Sequence, residues 1–250
     1  MQIVDAVSHS NQDEPAACVG CEARHRGICG ALEGSELAQM SRASSRRVVA
    51  AGCNIGRIFG QTDSLSNILS GAVRLSKRLP DGRQQIVGLQ FAPMLVGRPF
   101  DRDDTIEAAA AGPVRLCTIP RRSFDAMLAK NPDFERKVLE QTLALLDESR
   151  DMLMSLGRKT ALERVASYVK MIVERNAAAG AASSGAIVMP LTRGEMADFL
   201  GLTIETVSRR MTDLRKMGIV AFQNASSIRL LSAAKLNEVS GDAMERRPFV

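Results

Sequence analysis

Four cysteines in an uneven pattern are the first residues in this sequence that could support chemistry. Cys18, Cys21 and Cys29 form a C-x2-C-x7-C run near the start of the 250-residue chain, and Cys117 lies far downstream. Two thiolates separated by two residues can hold one metal centre, and three glycines in and beside the run let the backbone curl around it. The run therefore predicts a sulfur-ligated site, with structural zinc, thiol redox chemistry and spectator cysteines as the alternatives.

The charges around these cysteines favour an anionic centre. Arg24, His25 and Arg26 lie inside the run, where they would offset negative charge and lower the pKa of nearby thiols. Five cysteines are an odd number, so in a reducing cytosol we expect ligands or spectators rather than disulfides. We expect Cys53, the fifth, to be a small buried apolar filler.

A second stretch, from Thr192 to Gly218, has the spacing of a helix-turn-helix. Thr192 followed by Glu195 predicts a capping box at the start of one helix, and Gly201 suits the left-handed turn that ends it. Thr203 can cap a second helix, which ends before Gly218. This order of cap, helix, glycine turn and helix predicts a DNA-binding motif.

The second helix of this motif has the side chains that read bases. Glu205, Ser208 and Arg209 share one face near its N-terminus. Arginine can donate two hydrogen bonds to guanine, glutamate accepts from cytosine, and serine is adaptable; the alternative is a solvated polar face. Arg210 could reach a phosphate. The predicted DNA-contacting set is Thr203, Glu205, Thr206, Ser208, Arg209 and Arg210.

A long helix is predicted from Asn131 and Pro132 onward, and its pattern suggests a partner helix. Leucines recur every seven residues, with small polar residues between them, and a second apolar row runs beside the first. A buried internal helix is the alternative reading. We expect a parallel homodimer instead, because a helix-turn-helix reader needs two half-sites held apart. The predicted seam consists of Leu139, Thr142, Leu146, Ser149 and Leu153.

The rest of the chain predicts an α+β protein. Short strand-like pieces separated by glycines follow Arg46 and indicate an antiparallel β-roll, a cupin-like jelly roll. Two strands after Gly218 predict a wing. The expected organisation is a cysteine-bearing arm at 1–30, a β-roll sensor domain at 31–130, a dimerisation helix at 131–156 and a winged helix-turn-helix domain at 157–250. Within these parts we expect a flexible polar lead at the start of the arm and a helix over 31–43 at the start of the roll. In the last domain we expect a hinge near 157–160, an exposed loop at 176–185 and a loose tail after 240.

Composition narrows the functional classes. A net charge of +5 is mild support for a polyanionic partner. Neither a signal peptide nor the ~20 apolar residues needed to span a bilayer is found, so we expect a cytoplasmic protein without membrane contact. Two histidines, no clustered carboxylates and no phosphate loop give no support for an enzyme.

Together these elements resemble the CRP/FNR superfamily of bacterial regulators over nearly the whole chain. The stretch from Glu205 to Arg209 matches the E-x-x-S-R reading motif of the FNR branch. The four cysteines match that branch's three N-terminal ligands and one central ligand. Their spacing, with the run Leu156-Gly-Arg-Lys-Thr160, is most similar to the FnrL-type oxygen-sensing regulators.

The resemblance implies a specific mechanism. It implies an oxygen-labile [4Fe-4S] cluster on Cys18, Cys21, Cys29 and Cys117, a homodimer that tightens when the cluster is intact, a TTGAT-type inverted repeat and RNA polymerase as a partner. Zinc, thiol redox or another effector in place of the cluster stays the alternative. Nucleotide-binding members keep a G-E-L pattern and an Arg-Ser pair, whereas 97–100 reads GRPF and 103–106 has no such pair, so no cyclic nucleotide is expected.

Overall fold

The computed structural model describes residues 15–55, 64–97, 106–178 and 185–241. Most of the predicted flexible lead, most of the loop at 176–185, the segment at 98–105 and the tail from 242 lie outside the described residues. Among the described helices, none is long and apolar enough to cross a membrane.

The cysteine-bearing arm forms short helical turns. Helix α1 spans Ala16–Val19, α2 spans Glu22–Arg26, and a 3-10 turn spans Ile28–Ala31. Helix α3 spans Gly34–Ala43, so the helix predicted over 31–43 begins three residues later, after the 3-10 turn ends. The arm is therefore a compact unit joined directly to the roll.

The roll consists of two antiparallel sheets, as predicted. The strands are β1 Ser45–Val49, β2 Ser64–Ser70, β3 Ala72–Arg78, β4 Gln84–Phe91, β5 Leu95–Val96, β6 Glu107–Ala110 and β7 Val114–Pro120. One sheet has the strand order β1-β7-β2-β5 and the other has the order β4-β3-β6. Side chains from both sheets meet in one buried core, which includes Val49, Ile68, Val73 and Val114.

A long helix connects the roll to the C-terminal domain. Helix α4 spans Arg121–Lys130 and is followed by α5, which spans Pro132–Arg158. Asn131 caps the start of α5, because its side chain accepts a hydrogen bond from Phe134 N at 2.8 Å. Helix α5 runs two residues beyond the predicted end at 156. The hinge is therefore shorter than expected, because 157 and 158 are helical.

The C-terminal domain is a winged helix-turn-helix, as predicted. Thr192 and Glu195 form the expected capping box, and Gly201 adopts the left-handed conformation. The elements are α6 Ala161–Ala178, β8 Ile187–Val188, α7 Arg193–Leu200, α8 Ile204–Lys216, β9 Val220–Phe222, β10 Ser227–Leu230 and α9 Ala233–Val239. The three strands form the wing sheet in the order β8-β10-β9. Helix α9 was not predicted, because seven residues are too few for a clear periodic pattern.

Replacing Gly201 with alanine tests the turn. At φ +60° the new Cβ is strained, and it would lie 3.4 Å from Leu156 Cδ2. We expect G201A to lower the free energy of unfolding by about 1–2 kcal/mol. The matched control, G157A, is helical with an open surrounding and should be neutral or stabilising by up to about 1 kcal/mol. Chemical unfolding of both variants measures this, and equal stability would contradict the turn assignment.

Candidate cysteine site and nucleic-acid interface

Strand register places Cys117 in a polar row that crosses three strands of the roll. Strand β7 pairs with β1 and β2, and Cys117 lies opposite Arg46 on one side and Asn67 on the other. Directly opposed residues of an antiparallel sheet point to the same face. Arg46, Cys117 and Asn67 therefore share one face.

The arm packs closely against the roll. A Cβ on Gly27 would lie 2.8 Å from Ala23 O and 3.0 Å from Pro93 O, so this approach requires glycine. Ile28 and Leu32 of the arm have no exposed surface. They belong to a core built from the arm, the roll and the start of α5, and Cys18 and Cys29 pack at its edge. The other members of this arm core are Leu37, Met40, Leu65, Leu95, Ile119, Phe124, Met127, Phe134 and Val138.

The predicted ligand Cys29 lies on the face of the roll that carries Cys117. Its Sγ is 4.0 Å from the side-chain amide of Asn67, and Asn67 is the strand partner of Cys117. Burial, followed by the thiols of Cys117, Cys18 and Cys21, raises the pKa of Cys29 to about 12, while Arg24 acts in the opposite direction. The arm therefore brings Cys29 to the same side of the sheet as the cysteine of the roll.

Cys117 lies in a similar but more polar setting. Burial is the main cause that raises the pKa of its thiol, while the side chain of Ser44 and the charge of Arg46 lower it. Both groups favour a sulfur that carries negative charge. The roll side of the site is therefore suited to an anionic centre.

The thiols are not arranged as a cage for a single ion. Among the described residues, no three His, Cys, Asp or Glu side chains are grouped closely enough to hold one metal ion. Four thiolates on one zinc would be about 3.8 Å apart, as tetrahedral bonds of about 2.3 Å require. The ligands of a [4Fe-4S] cluster bind four different irons and are farther apart. The nature of the group that these thiols would hold stays a prediction.

Two polar residues support the arm: the sequence indicated Arg24 only as a positive charge, and it did not indicate Asn67. Arg24 is only 6% exposed and donates to Cys29 O at 2.7 Å and Leu32 O at 2.8 Å. Asn67 is 1% exposed, and its Nδ2 is 4.0 Å from Cys29 Sγ or, with the amide turned over, donates to Pro93 O at 2.8 Å. The one sequence signal that could have indicated a role for Asn67 is its place as a polar residue within a predicted strand.

The prediction for Cys53 was wrong. Cys53 is exposed and lies in the turn that follows β1, next to the isolated bridge between Asn54 and Ala109. A turn position has no core to fill, so its side chain contacts solvent.

The reading face of α8 is open. Glu205, Ser208 and Arg209 are exposed, and Thr203 caps the helix by accepting from Thr206 N at 3.2 Å. The pKa of Glu205 is lowered by its own backbone N–H and then by the Thr203 side chain, so its carboxylate is an acceptor at neutral pH. An ionised glutamate and an arginine at one helix start can read a major groove.

Arg210 differs from its neighbours. Its Nη1 is 3.0 Å from Asp213 Oδ2, and both side chains are 31% exposed. The pair engages one nitrogen of the guanidinium, and the predicted phosphate role of Arg210 stays a prediction.

The predicted seam of α5 is exposed and apolar. Leu139, Leu146 and Leu153 are 56%, 45% and 70% exposed, although they are large hydrophobic residues. The hydroxyls of Thr142 and Ser149 donate to the carbonyls four residues earlier, so both can face an apolar partner without a lost hydrogen bond. Leu143 and Met154 are also exposed and widen the stripe.

Comparison with family models divides the chain in the same way. A model of the cyclic nucleotide-binding domain matches residues 46–131, and a model of the Crp-like helix-turn-helix domain matches residues 163–239. Most of the residues behind the expectation that no cyclic nucleotide binds, 98–105, lie outside the described part of the chain. That expectation stays a prediction.

Related proteins are similar in sequence to this chain over most of its length. The chain is 48% identical to a probable transcriptional activator of Rhizobium leguminosarum bv. viciae, over 84% of this chain and 87% of that protein. It is 35% identical to the transcriptional activator protein FnrL of Cereibacter sphaeroides, over 90% and 92%. The structure of FixK2 from Bradyrhizobium japonicum matches with a TM-score of 0.71 and 27% identity, over 80% and 99%. The chain is therefore a DNA-binding transcription regulator of the CRP/FNR family and not an enzyme.

Proposed function

We propose that this regulator senses oxygen through a [4Fe-4S] cluster bound by Cys18, Cys21, Cys29 and Cys117. The intact site favours a homodimer that binds a TTGAT-type inverted repeat and acts on RNA polymerase. The observation that carries the proposal is the packing of the arm on the face of the roll that carries Cys117, with Cys29 Sγ 4.0 Å from the side-chain amide of Asn67, the strand partner of Cys117.

The chemistry of the site supports an anionic cluster. When bound, four thiolates around a dicationic core would give an oxygen-labile centre with a net charge of about −2. Arg24 and Arg46 bring positive charge to the cysteines, and the side chain of Ser44 also lowers the pKa of Cys117. Zinc stays the alternative.

The arm is in position to control the long helix. Ile28 and Leu32 share the arm core with Phe134 and Val138, which lie in the first two turns of α5. In the described part of the chain the arm is held by this packing and by Arg26, which donates to Ala178 O at 2.6 Å, and a group that joins the four thiols would add to these contacts. We infer that release of the arm loosens the base of α5 and lowers the affinity between protomers, which is allosteric coupling between two sites.

The exposed leucines of α5 supply the second part of the mechanism. A stripe of five large apolar side chains on one helix is typical of a surface that a partner covers. A parallel pair of α5 helices would cover it and place two α8 helices on successive major grooves. An inverted repeat follows from that two-fold symmetry.

A cyclic nucleotide in the roll is the second candidate effector, because the roll matches the cyclic nucleotide-binding model. The sequence argues against it, since 97–100 reads GRPF and 103–106 has no Arg-Ser pair. Calorimetric titration with cyclic AMP separates the two readings: heat of specific binding would favour the nucleotide.

Replacing Cys117 tests the ligand set. The C117A variant, purified and reconstituted without oxygen, should lose most bound iron and sulfide, because one corner of the cluster has no ligand. The control, C53A, removes an exposed thiol outside the site and should keep the wild-type content. Iron and sulfide analysis with absorbance spectra measures both. Equal loading of C117A and C53A would remove Cys117 from the site, and one zinc per wild-type chain would replace the proposed cluster.

A charge in the middle of the seam tests the dimer. We expect L146E to raise the dimer dissociation constant about 100-fold or more, because two uncompensated carboxylates at one contact cost about 3 kcal/mol. The control, A144E, puts the same charge on an exposed position of the same helix on another face. Sedimentation of anaerobic protein measures the constant. A dimer that tolerates L146E but not A144E would place the seam elsewhere.

Replacing Arg209 tests base reading. We expect R209A to cost about 1–3 kcal/mol of binding and to relax preference at one base pair. The comparison variant, K216A, removes an exposed charge at the far end of α8 and should weaken all sequences alike, if it has any effect. Binding to a set of single-base operator variants measures both. A uniform loss for R209A would make Arg209 a phosphate contact.

A further inference from the structure

Helix α7, the first helix of the helix-turn-helix, is held by polar groups from outside the motif. Arg164 of α6 donates to three carbonyl oxygens in three different elements. They are Leu156 O at the end of α5 (2.6 Å), Lys159 O in the hinge (3.0 Å) and Leu200 O at the end of α7 (3.1 Å). The last carbonyls of a helix have no partner inside it, so one guanidinium satisfies groups that would otherwise need water.

This arrangement fixes the hinge. The planar guanidinium donates along fixed directions, so the angle between α5 and α7 cannot change without loss of at least one of these bonds. Gly201 lets the turn approach the hinge, since the position of its missing Cβ is 3.4 Å from Leu156 Cδ2 and 3.7 Å from Arg164 Nη1. The segment predicted as a hinge is therefore held in one geometry.

The hairpin formed by β3 and β4 holds α7 from the roll side. It makes an ion pair and two hydrogen bonds to the helix, and these reach from its first turn to its last. They join Arg74 Nε to Glu195 Oε1 (3.2 Å), Gln84 Nε2 to Asp198 Oδ2 (2.8 Å) and Gln85 Nε2 to Phe199 O (3.1 Å). Glu195 also forms the capping box, so the hairpin contacts the residue that starts the helix.

The apolar side of the hairpin joins the core of the DNA-binding domain. Ala72, Ile86 and Leu89 are buried in the same cluster as Phe199 and Leu200 of α7. A shared core resists sliding, because movement would open cavities or expose apolar surface. The roll, the long helix and α7 therefore form one rigid unit in each protomer.

We propose that Arg164 and the hairpin residues Gln84 and Gln85 are specificity-determining residues that set the spacer length of the recognised operator. They fix the direction of α7, and hence of the reading helix α8, relative to the seam of α5. The distance between the two reading helices of a dimer follows from this angle. The inference rests on the homodimer of the proposed function and is independent of what the cysteines bind.

DNA geometry makes spacer length a sensitive readout. Adding one base pair moves a half-site by about 3.4 Å and rotates it by roughly 35° about the helix axis. A rigid unit cannot follow such a change, whereas a loose one can. Release of α7 should therefore lower affinity for the best spacer and reduce the discrimination between spacers.

The experiment uses full-length protein prepared without oxygen and inverted repeats with the central spacer shortened or lengthened by about one or two base pairs. Fluorescence anisotropy gives the dissociation constant of each. We expect R164M to lose about tenfold on the best spacer and much less on the others, since its buried polar contacts to the hinge and α7 are gone. The control, R158M, removes an exposed arginine from the end of α5 and should keep the wild-type profile.

A second variant guards against misfolding of R164M. The double change Q84A and Q85A removes only half-buried hairpin contacts and, like R164M, should reduce the dependence of the dissociation constant on spacer length. Thermal unfolding reports whether each variant is folded. Wild-type spacer discrimination in folded R164M, or in the double variant if R164M does not fold, would overturn the inference. So would tighter binding to every spacer, because the contacts would then hold an inactive arrangement. A wild-type protein that ignores spacer length would instead overturn the proposed homodimer, and the inference with it.

Discussion

Close packing of the arm on one face of the roll is the interaction on which the rest depends. Gly27 allows the approach, two fully buried aliphatic side chains anchor it, and Arg24 ties the backbone around Cys29. The same packing shields Cys29 and Cys117 from water, and burial raises the pKa of both thiols because it disfavours their charged form. Four thiolates at this place are tolerable when a metal centre shares their charge, so the proposed cluster would stabilise the packed arm and the arm would shield the cluster.

The long helix reports this local event to the DNA-binding domain. Its first turns share the arm core, its middle carries the exposed leucine stripe, and its end is held to α7 by Arg164. One continuous helix therefore joins the arm core to the hinge. The hairpin of β3 and β4 gives a second route from the roll to α7. Both routes end on the helix that positions the reading helix.

Local patterns were enough to predict most elements, and they failed where long-range contacts decide. The capping box at Thr192, the left-handed turn at Gly201 and the heptads of α5 depend on neighbours in sequence, and the structure contains all of them. The exposure of Cys53 and the burial of Asn67 depend on which strands pair and where they end. The three-way bonding of Arg164 joins elements that meet only after folding, so no spacing rule could have indicated it.

In the proposed mechanism, the four thiols bind one iron–sulfur cluster whose integrity sets the association of two chains. Sedimentation of the wild-type protein with simultaneous absorbance detection, before and after timed exposure to air, measures both properties in one sample. We expect about four irons and four sulfides per chain in an anaerobic dimer, and on exposure to air we expect loss of colour and a shift to monomer at the same rate. A colourless anaerobic dimer, or a coloured dimer that bleaches without any change in mass, would contradict it.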